Sequence, residues 1–186
     1  MKWSIFGLLF VMLTGCMKAS DMLNEVNYQL ADTGIINNQK IERSASRRIQ
    51  ADSLIYIVQS HFPPMEHQTV SDNVLAQETF NAFVSYFPLV RQSLQPLGLE
   101  QALLKAREER ADYLLYMRFV AGDQRVLMSR ATIQFMLYEL ASGRMVDNGS
   151  IQIRGGLLTS IDSAPEDFLR QPMQSYARAL LGLREY

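Results

Sequence analysis

The sequence predicts a single domain of the α/β (α+β) class, with a mixed sheet of about five strands packed against helices. Two patterns predict this fold. Apolar runs rich in β-branched and aromatic residues alternate with segments whose apolar residues recur at helical spacing. Strands joined by helices pair in parallel and strands joined by turns pair antiparallel, so one sheet should contain both arrangements. A length of 186 residues and a hydrophobic fraction of 48% suit one globular core.

The beginning of the chain has the pattern of a lipoprotein signal peptide, predicted to span residues 1–15 and to be cleaved. Lys2 precedes an apolar run over residues 5–13, which is too short to cross a membrane as a helix. The run ends in Leu13-Thr14-Gly15-Cys16, which resembles the bacterial lipobox. That resemblance implies cleavage between Gly15 and Cys16 and acylation of Cys16. The alternative is an uncleaved amino-terminal anchor with a buried structural cysteine.

A lipidated Cys16 would attach the mature chain to a membrane. Each buried methylene contributes about 0.8 kcal/mol, so two or more acyl chains give a stable anchor. The next residue is Met17, where the best-known sorting rule places an aspartate in proteins of the inner membrane. The sequence therefore favours an anchor in the outer membrane, on its periplasmic face, over one in the inner membrane.

Residues 16–50 are mixed and polar. We interpret them as a lipidated tether followed by an irregular or edge segment, with a candidate short strand near residues 28–30. Arg43, Arg47 and Arg48 form a basic cluster in this region. The cluster is either a solvated face or a contact for anionic lipid or for a partner.

The predicted periplasmic domain covers residues 51–186, and its first half alternates strands with helices. A β-branched run over residues 54–58 indicates a buried strand. A helix ending before Pro88 follows it, then a short strand over residues 89–94. An amphipathic helix comes next, with its apolar face at Leu99, Ala102, Leu103 and Ala106 and charged residues 107–110 facing water. The first helix has a cap from Ser71, Asp72 or Asn73 and apolar residues at Ala76, Phe80, Phe83, Val84 and Phe87.

The second half contains three strands, at residues 112–120, 131–140 and 145–153. The turn at Ser142-Gly143 joins the last two strands into a hairpin. A terminal helix follows, with apolar residues Phe168, Leu169, Met173, Tyr176, Leu180 and Leu181. The predicted order of elements is therefore β-α-β-α-β-β-β-α.

The terminal helix carries its own start, break and stop signals. Ser163 and Glu166 resemble a capping box. Pro172 should divide the helix into two pieces, because proline cannot donate a backbone hydrogen bond. Gly182 can end it.

Several stretches are similar to a family of short proteobacterial lipoproteins defined by a domain of unknown function. The stretches are Ser20-Asp21-Met22-Leu23, Tyr86-Phe87-Pro88-Leu89-Val90, Ala111-Asp112-Tyr113-Leu114-Leu115-Tyr116, Gly155-Gly156-Leu157-Leu158-Thr159, Pro165-Glu166-Asp167, Tyr176 and Leu180-Leu181-Gly182. The family has no established activity, so this resemblance implies no catalytic residues.

A more distant resemblance concerns the arrangement of elements over residues 54–153. It consists of Ala111-Asp112-Tyr113-Leu114-Leu115 after a charged helix, a hydrophobic strand, and a hairpin containing Leu140-Ala141-Ser142-Gly143-Arg144-Met145-Val146. This arrangement is similar to the periplasmic domain of the curli-secretion lipoprotein. The amino-terminal domain of the Tol-system propeller protein and the lipoprotein activators of peptidoglycan synthases share it. The resemblance implies an assembly or adaptor module rather than an enzyme.

Residues that could carry chemistry form weak patterns. The two histidines, His61 and His67, flank Pro63-Pro64, which prevents a helix that would turn both toward one metal ion. Ser60 is adjacent to His61 only in sequence, whereas nucleophilic catalysis requires a base beside the nucleophile in space. We therefore predict no catalytic residue, no metal site and no cofactor.

Three further patterns have an ordinary structural interpretation. Glu108-Glu109 stands among basic residues of one helix, which favours a solvated, salt-bridged face over paired catalytic carboxylates. Gly155-Gly156 lacks the spacing of a phosphate-binding loop. Phe80, Phe83 and Phe87 are interpreted as core, the alternative being that part of this stripe lines a partner groove with Tyr86.

The sequence thus predicts a lipid-anchored, non-enzymatic binding or adaptor module of the cell envelope. A formal charge of −1 gives no electrostatic reason to expect a nucleic-acid partner. The predicted partners are the membrane, through acylated Cys16, and an envelope protein; homo-oligomerisation stays open, and no ligand-binding residue is identified. Two alternatives remain. A small-ligand or lipid carrier requires an internal apolar cavity, and an envelope hydrolase requires a cleft that combines His61 or His67 with a serine or carboxylate.

Overall fold

The computed structural model describes residues 38–44, 47–62, 73–122, 130–154 and 167–183. Six strands and three helices lie in these ranges: β1 Asn38–Arg43, β2 Ile55–Gln59, α1 Val74–Phe83, β3 Val90–Gln92, α2 Leu99–Glu108, β4 Tyr113–Gly122, β5 Arg130–Glu139, β6 Arg144–Arg154 and α3 Asp167–Leu180. The lipobox, the candidate strand at residues 28–30, His67, Gly155-Gly156 and the capping box at Ser163 lie outside the described residues.

The strands form one mixed sheet in the order β1-β6-β5-β4-β2-β3. β2 pairs in parallel with β3 and with β4, as helix-linked strands should. The pairs β4–β5, β5–β6 and β1–β6 are antiparallel. Gly143, with φ 67°, lies in the turn of the predicted β5–β6 hairpin. The prediction of a single α/β domain with a mixed sheet is confirmed.

The sheet has six strands rather than about five, because β1 adds an edge strand beside β6. Its sequence, Asn-Gln-Lys-Ile-Glu-Arg, contains a single apolar residue, Ile41, which stands opposite Ile151. An edge strand is hydrogen-bonded on one side only, and polar residues are common there. The segment therefore has no alternating apolar pattern, and its composition predicts only an irregular or edge region.

Helices α1 and α3 pack against one face of the sheet and build the larger core. The Tyr176 ring of α3 lies between Phe83 of α1 and Phe135 of β5, with centroid distances of 6.0 and 4.4 Å. Phe83 also stacks on Phe87 at 5.7 Å. Phe83 and Phe87 are fully buried and Phe80 packs against them, so the interpretation of this aromatic stripe as core is confirmed.

Helix α2 covers part of the other face, where it packs against β2 and β4. Its buried residues are Ala102 and Ala106, whose small side chains let the helix lie close to the sheet. The smaller core on this face consists of Tyr56, Val58, Ala102, Ala106, Ala111, Leu114, Tyr116 and Leu140. Farther along β4 this face is polar and exposed, since Arg118 there donates a hydrogen bond to Gln134 of β5 at 2.7 Å.

Helix α1 is capped from a neighbouring strand. Asn73 occupies the N-cap position but makes no side-chain cap hydrogen bond. Instead, Oε1 of Gln59 in β2 accepts the backbone N–H groups of Leu75 (2.9 Å) and Ala76 (3.2 Å), which the helix itself leaves unpaired. Of the three predicted cap residues, Asn73 holds the N-cap position without a side-chain cap, since its amide donates to the Ser93 carbonyl at 2.7 Å. Ser71 and Asp72 lie outside the described residues.

Helix α3 runs unbroken through Pro172, so the predicted division into two pieces is wrong. A proline inside a helix removes one hydrogen bond and costs about 3 kcal/mol. The buried face of α3 lies on both sides of this position and keeps the helix against the sheet: Leu169, Met173, Tyr176, Ala177 and Leu180. Gly182, with φ 72°, follows the end of the helix as predicted. None of the three helices described is long and apolar enough to cross a lipid bilayer.

Candidate functional site

Most of the residues considered as catalytic or metal-binding candidates either have no second candidate beside them or lie outside the described ranges. Gly15, Cys16 and His67 belong to the part of the chain that is not described. His61 is exposed just after β2, and the backbone N–H of the preceding Ser60 donates to the Met117 carbonyl at 2.7 Å. Within the described ranges, no three His, Cys, Asp or Glu side chains come close enough together to hold a metal ion.

Glu108 and Glu109 belong to a network of ion pairs on the surface of α2. Lys105 Nζ lies 3.1 Å from Glu108 Oε2 and 3.9 Å from Glu109 Oε1. Arg91 of β3 contacts Glu109 Oε2 at 2.6 Å. The two carboxylates therefore share Lys105, and Glu109 has Arg91 as a second cation, which agrees with the predicted salt-bridged face.

The three arginines of the predicted basic cluster bind different parts of the domain. Arg43 pairs with Asp147, and Arg47 lies 3.0 Å from Glu139 Oε1. Arg48 packs so closely over Gly182 that a Cβ added there would lie 2.8 Å from its Nε. The cluster thus holds the segment after β1 against the sheet and α3, which favours a structural role over a lipid contact for Arg43 and Arg47.

A buried carboxylate, Asp147, joins three elements. Arg43 Nε of β1 donates to Asp147 Oδ2 at 3.0 Å, and its Nη2 makes a second contact with the same oxygen. The Tyr176 hydroxyl of α3 donates to that oxygen at 3.3 Å. The Arg43 guanidinium also lies over the Tyr176 ring, 4.9 Å from its centroid. One carboxylate oxygen therefore links β1, β6 and α3.

Tyr176 acts as a hydrogen-bond donor in this cluster. Burial raises the pKa of its hydroxyl well above the usual value, and the negative charge of Asp147 raises this pKa further. The phenol therefore stays protonated near neutral pH and can serve neither as a base nor as a phenolate nucleophile. The cluster is best explained as a structural ion pair.

The best candidate for a binding site is a groove of about 720 Å³ between β3 and α2. We call it the edge groove; it is lined by Tyr56, Arg91, Gln92, Ser93, Leu94, Gln95, Leu97, Lys105 and Glu109. Leu94 is 89% exposed at its rim, more than any other large hydrophobic side chain in the described ranges. Tyr56 lies on its inner side, where burial raises the pKa of the phenol and keeps it neutral.

The edge groove runs beside an open strand edge. Within the described ranges, β3 has a strand neighbour on one side only, β2. The Leu89 carbonyl accepts from Ile55 N–H at 3.0 Å, and Ser93 N–H donates to the Ile57 carbonyl at 2.9 Å. Since the backbone groups of a strand alternate in direction, those of Val90 and Gln92 point away from β2. We call this row of outward-facing groups the β3 edge.

A second groove, of about 590 Å³, lies near the carboxyl end of α2, beside Arg107 and Ala111. Polar residues line most of it, including Asp52, Arg107, Asp112 and Glu139. The Asp112 carboxylate accepts the backbone N–H of Leu54 at 2.8 Å and so helps to position the start of β2. This groove offers charged groups but lacks the exposed apolar side chain and strand edge of the first.

Sequence reasoning did not identify the edge groove. Its residues come from β2, β3, the loop after β3 and α2, and no single one of these segments carries a pattern that indicates the groove. The usable signal was Leu94, an apolar residue just before Pro96 in a short strand region. Its exposure follows from the position of β3 at the edge of the sheet, which depends on the strand order.

Comparison with a library of protein families gives one match. A model described as "Domain of unknown function (DUF4823)" matches residues 47–180. No curated protein sequence matches the chain.

Solved structures of PelC share the fold at low sequence identity. The PelC dodecamer from Paraburkholderia phytofirmans aligns with a TM-score of 0.56 and 13% identity, over 80% of this chain and 100% of that chain. A single-residue variant of the PelC dodecamer aligns with a TM-score of 0.58 and 13% identity, over 79% of this chain and 100% of that chain. TolB from Acinetobacter baumannii aligns with a TM-score of 0.38 and 13% identity, over 78% of this chain and 32% of that chain. The PelC alignments establish a common fold.

Proposed function

The chain belongs to the family described as domain of unknown function (DUF4823), and we propose that it is a lipid-anchored, non-enzymatic binding module of the cell envelope. Its anchor is acylated Cys16 in the outer membrane, and its folded domain faces the periplasm. It binds protein partners along the β3 edge.

The observation that carries the binding role is the combination of groups at the β3 edge. Outward-facing backbone groups of Val90 and Gln92 can pair with an extended polypeptide. Leu94 offers an apolar contact beside them, and Arg91 and Lys105 add charge at the groove wall. This combination matches the composition of protein interfaces, which join apolar contacts with a polar rim.

The carrier and hydrolase alternatives have less support. A carrier needs an enclosed apolar cavity, whereas the two grooves described here lie at the surface and are lined partly by charged residues. A hydrolase needs a base next to a nucleophile, and His61 stands exposed at the end of β2. The fold shared with PelC adds support for association, because PelC in those structures is a dodecamer.

Support for the anchor comes from the beginning of the sequence. The apolar run over residues 5–13 and the tetrad Leu13-Thr14-Gly15-Cys16 fit a lipoprotein signal, and Cys16 is the single cysteine of the chain. Met17 favours the outer membrane in the sorting rule used above. An anchored domain of this kind would be restricted to partners within reach of the membrane surface.

Site-specific photo-crosslinking in living cells tests the binding role. A photoactivatable amino acid is placed at Leu94 in the full-length chain, and the matched control carries it at Leu104, which is 60% exposed on α2 but does not line the edge groove. We expect a discrete adduct at Leu94, identified by mass spectrometry, and none at Leu104. Absence of an adduct at Leu94 in folded, membrane-bound protein would overturn the binding role of this edge.

Substitution of the cysteine tests the anchor. Cys16→Ala should move the protein from the membrane fraction to the soluble fraction and abolish incorporation of a labelled fatty acid. Ser20→Ala, four residues later, is the matched control and should leave both unchanged. Retention of Cys16→Ala in the membrane fraction would contradict lipid anchoring through this residue, and separation of inner and outer membranes tests the location.

A further inference from the structure

We propose that the β3 edge of one copy of this chain pairs with the free edge of β1 in a second copy, so that the sheet continues from subunit to subunit. This inference rests on the proposed binding role of the β3 edge and names its occupant. It follows from three properties of the two edges: their hydrogen-bonding pattern, their faces and their charges.

Both ends of the sheet are open in the described ranges. The strand order begins with β1 and ends with β3, and each has one strand neighbour there. Among the strands described, β1 and β3 therefore present outward-facing backbone groups on opposite sides of the sheet. An open edge on each side permits head-to-tail pairing between copies.

The backbone groups of β1 alternate in the way that such pairing requires. Ser44 N–H donates to the Asn148 carbonyl at 2.9 Å, so the backbone groups of Ser44 point toward β6. Alternate residues of a strand point the same way, so the backbone N–H and C=O of Glu42 also point toward β6. The groups of Ile41 and Arg43 then face outward. They match the outward-facing groups of Val90 and Gln92, which are also two positions apart.

Arg91 of β3 and Glu42 of β1, which lie between the outward-facing residues of each strand, have their side chains on the same face of the continued sheet. Arg91 stands opposite Tyr56, whose side chain belongs to the core under α2. Glu42 stands opposite Ser150, which lies in line with Gln134 and Arg118 on that same face. In an antiparallel pair, Arg91 and Glu42 of the second copy would therefore be neighbours.

Charge selects one register from the two that satisfy the hydrogen-bonding pattern. In the first, Val90 pairs with Arg43 and Gln92 with Ile41, so Arg91 stands directly opposite Glu42. In the second, the chain shifts by two residues and Arg91 stands opposite position 40, a lysine. Opposite charges facing each other across strands stabilise a pair, and like charges destabilise it. The first register is therefore favoured.

The side chains of the selected pair are accessible. Arg91 and Glu42 are both exposed. Arg91 contacts Glu109 through Nη1, and a guanidinium has five N–H donors, so it can serve Glu109 and a second carboxylate together. Because the two surfaces differ, repeated pairing gives a closed ring or an open chain of copies rather than a twofold dimer.

A pair of introduced cysteines tests this register in the purified full-length chain. Arg91→Cys and Glu42→Cys are combined in one protein, since directly opposite residues of this type have Cα atoms about 4.5 Å apart, within the range of a disulfide. Under mild oxidation we expect a ladder of linked multimers on a non-reducing gel. The parent protein, with Cys16 alone, sets the background, and Arg91→Cys with Glu108→Cys is the matched control.

The single-cysteine variants decide between pairing modes. Arg91→Cys alone and Glu42→Cys alone should form no ladder, whereas strong dimers of either one would show twofold pairing of identical edges and overturn the proposal. A folded double variant that stays monomeric would also overturn it. If Leu94 crosslinks to a different protein in that case, the binding role of the β3 edge stands and only the second copy is excluded as its occupant.

Charge exchange provides a second, independent test. Arg91→Glu and Glu42→Arg should each raise the dissociation constant for self-association about ten-fold, measured by sedimentation velocity. The double exchange R91E/E42R should restore association. A purely local role of Arg91 beside Glu109 predicts no rescue, because Glu42 lies at the opposite side of the same domain, and absence of rescue would overturn the proposed register.

Discussion

The two faces of the sheet differ in what covers them and in the environment of their charges. Under α1 and α3, two ion pairs each contain a buried carboxylate. Asp147 pairs with Arg43, and Glu78 of α1 accepts two hydrogen bonds from Arg170 of α3. On the face under α2, the pairs formed by Arg91, Lys105, Glu108 and Glu109 are exposed by about a third or more.

This difference separates the part of the molecule that holds the fold from the part available for binding. Removing one partner of a buried pair leaves a charge without water or counter-ion, which costs about 3–5 kcal/mol. Exposed pairs contribute about 0–1 kcal/mol. Contacts beside α2 and β3 can therefore be exchanged for contacts with another protein at little cost to stability, whereas contacts under α3 cannot.

The largest expected effect is loss of a core ring on the face under α1 and α3. Phe83→Ala removes a side chain that contacts both Phe87 and Tyr176 and should lower the free energy of unfolding by about 4 kcal/mol. Leu103→Ala, a partly buried residue of α2, should lower it by about 1 kcal/mol. Urea denaturation measures both, and equal losses would contradict the difference between the two faces.

Loss of the cation that pairs with the buried Asp147 should come next. Arg43→Met leaves Asp147 buried beside Tyr176 without its counter-charge, and we expect a loss of about 3 kcal/mol. The matched variant Arg91→Met breaks an exposed pair and should cost under about 1 kcal/mol. Similar losses in the two variants would show that burial does not distinguish these pairs.

A smaller effect is expected from a methyl group at Gly149, where β6 passes β1. A Cβ there would overlap the Glu42 carbonyl oxygen and the Phe135 ring. Gly149→Ala should therefore cost about 2 kcal/mol through displacement of β1. Gly98→Ala is the control, because a Cβ at Gly98 meets nothing within 4 Å, and its loss should stay under about 1 kcal/mol. An unchanged stability of Gly149→Ala would contradict close packing of β1.

The smallest effect concerns pH. The pKa of Tyr176 is raised by burial, so stability from its protonated hydroxyl is complete below the unfolded value of 10.0 and falls as the pH rises above it, where only the unfolded chain ionises readily. Tyr176→Phe should cost about 1 kcal/mol at pH 7 and make the alkaline decline shallower. Chemical denaturation at several pH values measures this, and an unchanged slope above pH 10 would contradict the assignment.

The elements with a clear apolar period could be predicted from the sequence. The helical spacing of Phe80 and Phe83 and the β-branched run of β2 locate α1 and β2, because burial against a core imposes those patterns. The predicted end of α1 just before Pro88 is wrong, since the helix ends at Phe83 and Phe87 follows it. The mixed pairing also follows from the lengths of the connections. Each of these patterns lies within a short stretch of sequence, and the residues that form them belong mainly to the larger core.

The other features depend on partners far apart in the chain. Asp147 lies in a polar stretch of a hairpin strand, and its burial requires Arg43, 104 residues earlier. Gln59 also has a distant partner, because its side chain accepts a hydrogen bond from Leu75 in the first turn of α1, 16 residues later. The edge groove is the clearest case: Leu94 is exposed because β3 ends the strand order, and no local pattern specifies that order.

The ion pair of Arg43 also has a mechanical consequence. Any pull transmitted by the preceding chain acts on Asn38, the first residue of β1, whereas Arg43 is the last. The strand would then peel from β6 one residue pair at a time, from Asn38–Arg154 toward Arg43–Gly149. The ion pair between Arg43 and Asp147 would be reached last, and it would resist complete detachment of β1 under load.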